Sequence, residues 1–314
     1  MITYQGIDLF ETNEKTVVTI GTFDGVHLGH LKIIEQLIAD AKQENCKSVI
    51  LTFFPHPRLV LQGEHAIQLL NTIQERTALL AKTGVDCLII HPFDQAFSAL
   101  SAEQFIKTVL VEKLHVKKII VGHDHRFGHN RTANFDDLVQ YGKQYGFAVD
   151  QIEAETYQTV NVSSTKIRNA LHTADVKLAN AYLGHRYQLS GTVELGNQLG
   201  RTLGFPTANL QLGTSYKLIP KNGVYLVLSK MDSKLVYGLM NIGLRPTING
   251  STQTIEVHFL DFNADLYGQE ITVELIDFLR DEIKFDSLNE LKAQIEKDLI
   301  WATKAIATRE QLAQ

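Results

Sequence analysis

Two domains of different architecture are predicted: a Rossmann-like α/β domain with a mostly parallel sheet over residues 1–185, then an antiparallel β-barrel or sandwich ending in a helix over residues 186–314. Three observations predict this. Apolar, β-rich runs alternate with helix-like stretches through the first half, the order of a parallel sheet covered by helices. Past residue 186, strand-like segments follow one another with only turns between them, the order of an antiparallel sheet. A chain of 314 residues also exceeds the ordinary size of one domain.

In the first half, β-rich runs fall at 17–20, 48–54, 85–90, 118–121 and 147–152, and helical stretches at 31–44, 72–82, 101–114 and 134–145. Leu31, Ile34, Leu37, Ile38 and Ala41 recur at helical spacing. Residues 16–44 therefore read as strand, tight glycine loop, helix. A further helix is expected over 164–171, where Ser163, Ser164 and Thr165 make a good N-cap. In the second half, strands are expected at 187–194, 223–230, 234–241, 253–260 and 270–277, separated by turn-rich stretches such as 199–204. Within 253–260, Ile255, Val257 and Phe259 share one face while Glu256 and His258 share the other. Leu288, Leu291, Ile295, Leu299 and Ala302 supply the helical period at the end. The domain boundary is placed near Gly184 and His185, and no internal repeat is present.

Residues 21–30 carry the strongest chemical signal. His27 and His30 lie three apart in the first helical turn, where side chains point the same way. The helix start supplies unpaired N–H groups and the positive end of the macrodipole. Gly21, Gly25 and Gly29 let a bulky anion approach the backbone, so the loop suits nucleotide phosphates. Two histidines near a helix start are more often caps or surface residues. Three glycines, Asp24 and the strand-to-helix context favour a site, because such sheets bind ligands beyond their strand carboxyl ends.

Three more clusters follow strands or open helices. Pro55-His56-Pro57 is a stiff turn that fixes the direction of His56. Residues 121–128, with His123, Asp124 and His125, follow the fourth β-rich run. Lys166 and Arg168 add positive charge near a second helix start, which a triphosphate needs.

Composition limits the classes. With 44% apolar and 21% charged residues, the chain can bury real cores and is neither disordered nor collagen-like. A formal charge of −5 argues against a general nucleic-acid binder but not against a local nucleotide site. Cys46 and Cys87 sit in or beside apolar runs, so a reducing compartment is expected rather than a disulfide framework or zinc site. The first twenty residues include Asp8, Glu11 and Glu14 without a long apolar core, and no apolar run is long enough to span a membrane. A cytoplasmic location is expected.

The stretch 21–30 resembles the HxGH signature of the nucleotidyltransferases, which transfer AMP or CMP from a nucleoside triphosphate. With Pro55-His56-Pro57, residues 97–101, Val121-Gly122-His123-Asp124, Phe127-Gly128 and residues 163–168, it resembles the N-terminal module of bacterial bifunctional riboflavin kinase/FAD synthetases. The resemblance implies FMN adenylyl transfer with ATP and Mg²⁺ at His27, His30, His56, Ser164, Thr165 and Arg168. It places Gly21, Phe23, Asp24 and Gly25 in the ATP-binding loop and Asp124 near nucleotide or flavin; His27, His30 and Arg168 take catalytic roles. Two departures stand out. His125 occupies a position where many members carry an aromatic residue, and Arg131-Thr132-Ala133-Asn134 stands where Arg-x-Gly-Asp is frequent.

In the second half, residues 196–210 read as a glycine-bearing loop followed by a rigid turn presenting Thr207 and Asn209. Their oxygens suit Mg²⁺, which shares hard oxygen ligands with ATP phosphates. An ordinary turn with Thr and Asn bonding backbone is the simpler reading of Thr207-Ala208-Asn209 alone. The segments Gly204 to Asn209, Asn241 to Thr247, Glu256-Val257-His258 and Asp265-Leu266-Tyr267-Gly268 together resemble the riboflavin kinase domain over nearly all of 187–300. That resemblance implies a six-stranded β-barrel, ATP at Gly204, Thr207 and Asn209, Mg²⁺ at Thr207 and Asn209, and Glu256 as catalytic base. It puts Asn241 at the flavin, and Arg245 and Arg280 in mobile loops near it.

The leading expectation is a two-headed enzyme that converts riboflavin to FMN and FMN to FAD. Its partners are riboflavin, FMN and ATP, with neither nucleic acid nor membrane, and homo-oligomer formation stays open. A kinase with an impaired adenylyltransferase module and a non-catalytic flavin-binding sensor are the alternatives. A cytidylyltransferase of a small alcohol phosphate would share the HxGH loop but leave the second half unexplained.

Overall fold

Consecutive β-branched residues build the first sheet. This computed structural model describes residues 1–63, 67–153, 155–158, 160–196, 199–232, 234–247 and 250–313. Strands β1 (Ile2–Tyr4), β2 (Thr16–Ile20), β3 (Lys47–Phe53), β4 (Cys87–His91), β5 (Val116–Gly122) and β6 (Ala148–Ile152) form one sheet in the order β1-β4-β3-β2-β5-β6. Every neighbouring pair is parallel. The main helices are α1 (Leu28–Gln43), α2 (Pro57–Gln62), α3 (Ile73–Ala81), α4 (Gln95–Ser98), α5 (Ala102–Gln104, continued as a π-helix over Phe105–Lys113) and α6 (Phe135–Tyr145).

Both faces of the sheet are covered. Val17, Ile50, Leu88 and Ile120 pack with Ile34, Leu37 and Ala41 of α1 and Leu80 of α3. Val18, Leu51, Ile89 and Ile119 pack on the other face with Ile106, Leu110 and Leu138. All five residues of β2 are accordingly buried, as a central strand of a doubly covered sheet requires. Ile34 and Leu37 are fully buried and contribute about 1.5–3 kcal/mol each. An N-cap is worth about 1 kcal/mol, so packing rather than capping decides α1.

From β2 the chain moves outward to β3 and β4, then returns to lay β5 on the other side of β2. Where strand order reverses, a crevice opens at the carboxyl ends of β2 and β5. Residues 21–30 leave β2 there, and 123–128 leave β5.

After a two-stranded ladder of β7 (Thr156–Tyr157) and β8 (Val160–Asn161) come α7 (Ser164–His172) and α8 (Val176–Leu183). The barrel strands are β9 (Gln188–Glu194), β10 (Ala208–Gln211), β11 (Gly223–Met231), β12 (Lys234–Thr247), β13 (Gly250–Phe259) and β14 (Glu270–Arg280), with a helical turn α9 (Leu199–Thr202) before β10. They close in the order β10-β13-β12-β11-β14-β9, all antiparallel. Ile255, Val257 and Phe259 are buried while Glu256 and His258 are half-buried, the predicted alternation. Val224, Leu226 and Leu228 pack with Ala302 and Leu299 of the C-terminal helix α10 (Leu288–Ala313).

Several elements differ from expectation. β1 has three residues and β10 four, too short for a period-2 pattern, and neither is foreseen. Residues 199–202, read as turn, form the helical turn α9, and β12 continues to Thr247. Asn197 and Gln198 of the predicted glycine-bearing loop lie outside the described residues. By packing, the chain divides into Met1–Ser164 with Tyr216–Leu218, and Thr165–Ser215 with Ile219–Gln314. That division falls earlier than the rhythm change at 185/186 because α8 packs with β14. The Asn180 amide donates to Leu275 O at 2.9 Å and accepts the Tyr187 N–H at 2.7 Å.

Candidate active sites

His27, a residue expected in the site, is the N-cap of α1. Its carbonyl accepts the N–H groups of His30 and Leu31 at 2.7 and 3.0 Å, and its Nδ1 lies 3.4 Å from the His30 N–H. With Nδ1 accepting, a neutral His27 carries its proton on Nε2 and donates from there. The two imidazoles stack with centroids 3.6 Å apart and planes 16° from parallel. The Phe23 ring lies 5.1 Å from His30. Burial first, then His27 and Arg76, holds His30 well below the ordinary histidine range, so it is neutral near pH 7. Its Nδ1 is fully shielded without a hydrogen-bond partner, although the residue as a whole is half-buried.

The loop is strained and therefore must be held. Phe23 and Val26 have φ of 47° and 42°, left-handed values that cost side-chain-bearing residues about 1–3 kcal/mol each, and Gly25 has φ 91°. Asp24, 1% exposed, supplies the hold. Its carboxylate accepts the Leu70 N–H at 2.9 Å and the Asn71 N–H at 3.2 Å, with the Arg76 guanidinium 3.9 Å away. Asn71 Oδ1 accepts the Gly25 N–H at 2.8 Å. Asp24, expected among the nucleotide contacts, thus shapes the loop with its side chain. Ser164 Oγ donates to the Asp24 carbonyl at 2.9 Å, which ties the start of α7 to the loop. Thr165 and Arg168 continue α7 and belong by packing to the second unit.

His56, following the adjacent strand β3, caps α2 and is 8% exposed. Its Nδ1 accepts the Arg58 N–H at 3.1 Å, again leaving Nε2 as the donor of a neutral ring. After β5, the residues His123, Asp124, His125, Arg126, Asn134 and Gln151 line part of a cavity of about 400 Å³. The His125 ring lies 19° from parallel to Phe127 at 6.1 Å. Burial, reinforced by Arg131, pushes His125 down to about 4, so it presents a neutral aromatic face. Asn134 caps α6: its Oδ1 accepts the Asp136 and Asp137 N–H groups at 2.8 and 3.2 Å, and Asp137 bonds back to the Asn134 N–H at 2.9 Å. Asn and Asp are equivalent N-caps, so Asn in place of the frequent Asp leaves the helix start intact.

In the barrel, register assembles the second group of residues. Asn209 of β10 pairs with Glu256 of β13, and Glu256 pairs with Asn241 of β12. Directly opposed residues share a face, so an amide, a carboxylate and a second amide stand in a row. Gly196 closes on this row, since a Cβ there would collide with the Asn209 amide. Gly204 has φ 89°, a conformation that glycine tolerates best, and it opens the turn to Thr207. His258 holds that turn by bonding the Pro206 carbonyl through Nδ1 at 2.8 Å, and its ring meets Phe205 edge-on at 5.7 Å. In the sequence the only sign of this role is the place of His258 two residues after Glu256 on the same strand face.

The two arginines expected in mobile loops are strand residues, because β12 and β14 run longer than their apolar patterns. Arg245 Nη2 donates to Glu256 Oε1 at 2.8 Å. Arg280 ends β14, where Nε and Nη2 grip Asp298 of α10 at 2.7–3.1 Å, and Asp298 is 4% exposed.

An imidazole-lined loop in a parallel sheet and an amide–carboxylate–amide row on a barrel are two unlike candidate sites on one chain, suited to a two-domain transferase of phosphoryl and nucleotidyl groups. The sequence pattern of the family described as FAD synthetase matches residues 9–166, and that of riboflavin kinase matches 183–306. A Haemophilus influenzae protein named bifunctional riboflavin kinase/FMN adenylyltransferase is 41% identical over 283 residues, covering 90% of this chain and 91% of its own. Proteins of the same name from Escherichia coli K12 and Listeria monocytogenes are 41% and 37% identical, covering 92% and 91% of this chain and 92% and 91% of their own. A solved structure described as a macrolide-efflux protein from Streptococcus pneumoniae superposes with a TM-score of 0.88 at 30% identity, covering 96% of this chain and 98% of that one. No helix among the described residues is long and apolar enough to cross a membrane. The chain belongs to the bifunctional riboflavin kinase/FMN adenylyltransferase family.

Proposed function

We propose that the barrel phosphorylates riboflavin with ATP, giving FMN and ADP, and that the sheet unit transfers AMP from a second ATP to FMN, giving FAD and pyrophosphate. The observation that carries this reading is the register Asn209–Glu256–Asn241, an amide, a carboxylate and an amide in one row, which we read as phosphate side, base and flavin side.

In the barrel the nucleophile is a neutral ribityl hydroxyl, whose proton must leave as its oxygen bonds the γ-phosphorus. Glu256 takes that proton, the role a carboxylate plays in protein kinases. Its pair with Arg245 is partly exposed, with side chains 37% and 27% accessible, and such pairs are worth about 0–1 kcal/mol. An incoming hydroxyl therefore displaces Arg245 from Glu256 at little cost. Thr207 and Asn209 offer hydroxyl and amide oxygens beside a carboxylate, a hard donor set that fits Mg²⁺ shared with ATP. Bound there, Mg²⁺ would neutralise phosphate charge. Gly204 borders the ATP phosphates, and Asn241 faces the flavin. Arg245, once released from Glu256, and Arg280, held by Asp298, are the further flavin contacts.

In the sheet unit the nucleophile is the FMN phosphate, already ionised, so no base is needed. Alignment and stabilisation of charge on the α-phosphoryl oxygens are the work required. His27 and His56 supply Nε2–H donors and His30 a neutral ring, Gly21, Phe23 and Gly25 the loop backbone, and Ser164 a further phosphate contact. Asp124 and His125 border the cavity that would take the flavin or adenine ring. The neutral ring of His125 and the cap of Asn134 support an intact module rather than an impaired one.

A cytoplasmic enzyme with riboflavin, FMN and ATP as its ligands, and no nucleic acid or membrane, accords with the −5 charge. Incubation with riboflavin, ATP and Mg²⁺, with chromatographic separation of products, tests both halves. FMN followed by FAD is expected. FMN alone would favour the kinase-only reading, and flavin binding without turnover would favour a sensor.

A further inference from the structure

Beneath the first site lies a buried ionic cluster that the phosphate chemistry does not use. The segment Tyr216–Leu218 sits in sequence between β10 and β11, yet packs as part of the sheet unit. It pairs in parallel with Leu69, whose N–H donates to Tyr216 O at 2.7 Å and whose carbonyl accepts the Leu218 N–H at 2.8 Å. At its centre Lys217 is 2% exposed. Lys217 Nζ donates to Glu75 Oε2 at 2.6 Å and to Leu70 O at 2.7 Å. The same Glu75 oxygen accepts the Thr72 N–H at 2.9 Å, closing the capping box that starts α3. One ammonium thus fixes residues 70–72 at two points. Those residues in turn hold the strained loop, through the Leu70 and Asn71 N–H groups on Asp24 and the Asn71 Oδ1 on the Gly25 N–H.

We propose that Lys217 is a positioning residue of the adenylyl-transfer site, acting through residues 70–72 to set Asp24 and Gly25 and hence the placement of His27 and His30. The proposal rests on the adenylyltransferase reading and adds to it a dependence on a residue from beyond position 185. A lysine suits the place because its ammonium donates to a carbonyl and a carboxylate at once. It also neutralises Glu75, 4% exposed, whose charge would otherwise be buried with its Oε1 already lacking a hydrogen-bond partner. Simple space-filling would need only the aliphatic stem, which methionine reproduces.

The test compares full-length wild type, Lys217→Met and the double variant Glu75→Gln/Lys217→Met in FMN adenylylation, riboflavin phosphorylation and thermal melting. The double variant removes both buried charges together, so its melting returns close to wild type while the ammonium bond to Leu70 stays absent. Adenylylation kcat/KM for ATP is expected to fall at least tenfold in both variants, with riboflavin phosphorylation within twofold of wild type. Adenylylation within twofold in Lys217→Met, or its return in the double variant in step with melting, would overturn the proposal. Loss of the melting transition and of both activities in both variants would also overturn it, making Lys217 a folding determinant. Absence of FAD formation from FMN by wild type would instead strike the adenylyltransferase reading itself.

Discussion

Under the proposed function, the glycine loop of the sheet unit and the residue row of the barrel handle phosphate by opposite means. The loop relies on rings and backbone: His30 is held neutral, His27 and His56 accept through Nδ1, and the charged groups Asp24, Glu75, Arg76 and Lys217 are buried behind it. The barrel row puts its charge in front, with Glu256 half-buried and paired to Arg245. The difference follows the nucleophiles. An ionised phosphate needs alignment, whereas a hydroxyl needs somewhere for its proton to go.

The sharpest way to break this contrast is Glu256→Gln, which keeps shape and removes basicity. General base catalysis is worth roughly two to four decades, so riboflavin phosphorylation should fall by that much with ATP affinity little changed. Near-normal turnover would make Glu256 structural. Next comes His30→Ala, expected to lower FMN adenylylation by about two to three decades, the usual cost of about 3–4 kcal/mol for one lost donor to developing charge. A rate within twofold of wild type would remove His30 from the mechanism, and riboflavin phosphorylation serves as the internal control.

A smaller effect tests the neutrality of the rings. The folded values of His30 and His125 lie below the unfolded value near 6.5, that of His125 at about 4. Above pH 6.5 both states are neutral and stability is full. As pH falls below 6.5 the unfolded chain takes protons that the folded rings refuse, so stability declines by at most about 1.4 kcal/mol per pH unit for each ring. Melting temperatures between pH 6.5 and 5 should therefore fall less steeply in His125→Phe than in wild type. Equal slopes would mean that His125 charges in the folded state. The least effect is expected of Asn134→Asp, within about 0.5 kcal/mol in urea unfolding, because both side chains cap equally well. A larger change would show that position 134 contributes more than a cap.

The sequence made some parts of this molecule legible and hid others for identifiable reasons. β2 and α1 were readable because burial on two faces and on one face leaves different periods, and the loop between them was fixed by its glycines. The alternation at Ile255, Glu256, Val257 and His258 likewise foretold which residues are buried and which are not. The row Asn209–Glu256–Asn241 was not legible, because register is a relation between strands far apart in sequence. The strand positions of Arg245 and Arg280 escaped because exposed strand ends carry no apolar period. Lys217 was hidden most deeply: a lone lysine beside Tyr216 and Leu218 gives no hint that its partner is Glu75.

The parallel pairing of Leu69 with residues 216–218 has a consequence for biosynthesis. A ribosome delivers the chain from its N-terminus, so Met1–Ser164 emerges while one piece of its own packing is still untranslated. At roughly 5–20 residues per second, the wait from residue 164 to 218 is about 3–11 s. During it, the nascent sheet must keep Leu69 and Glu75 in solvent or cover them by other means, and only the late arrival of three residues completes it.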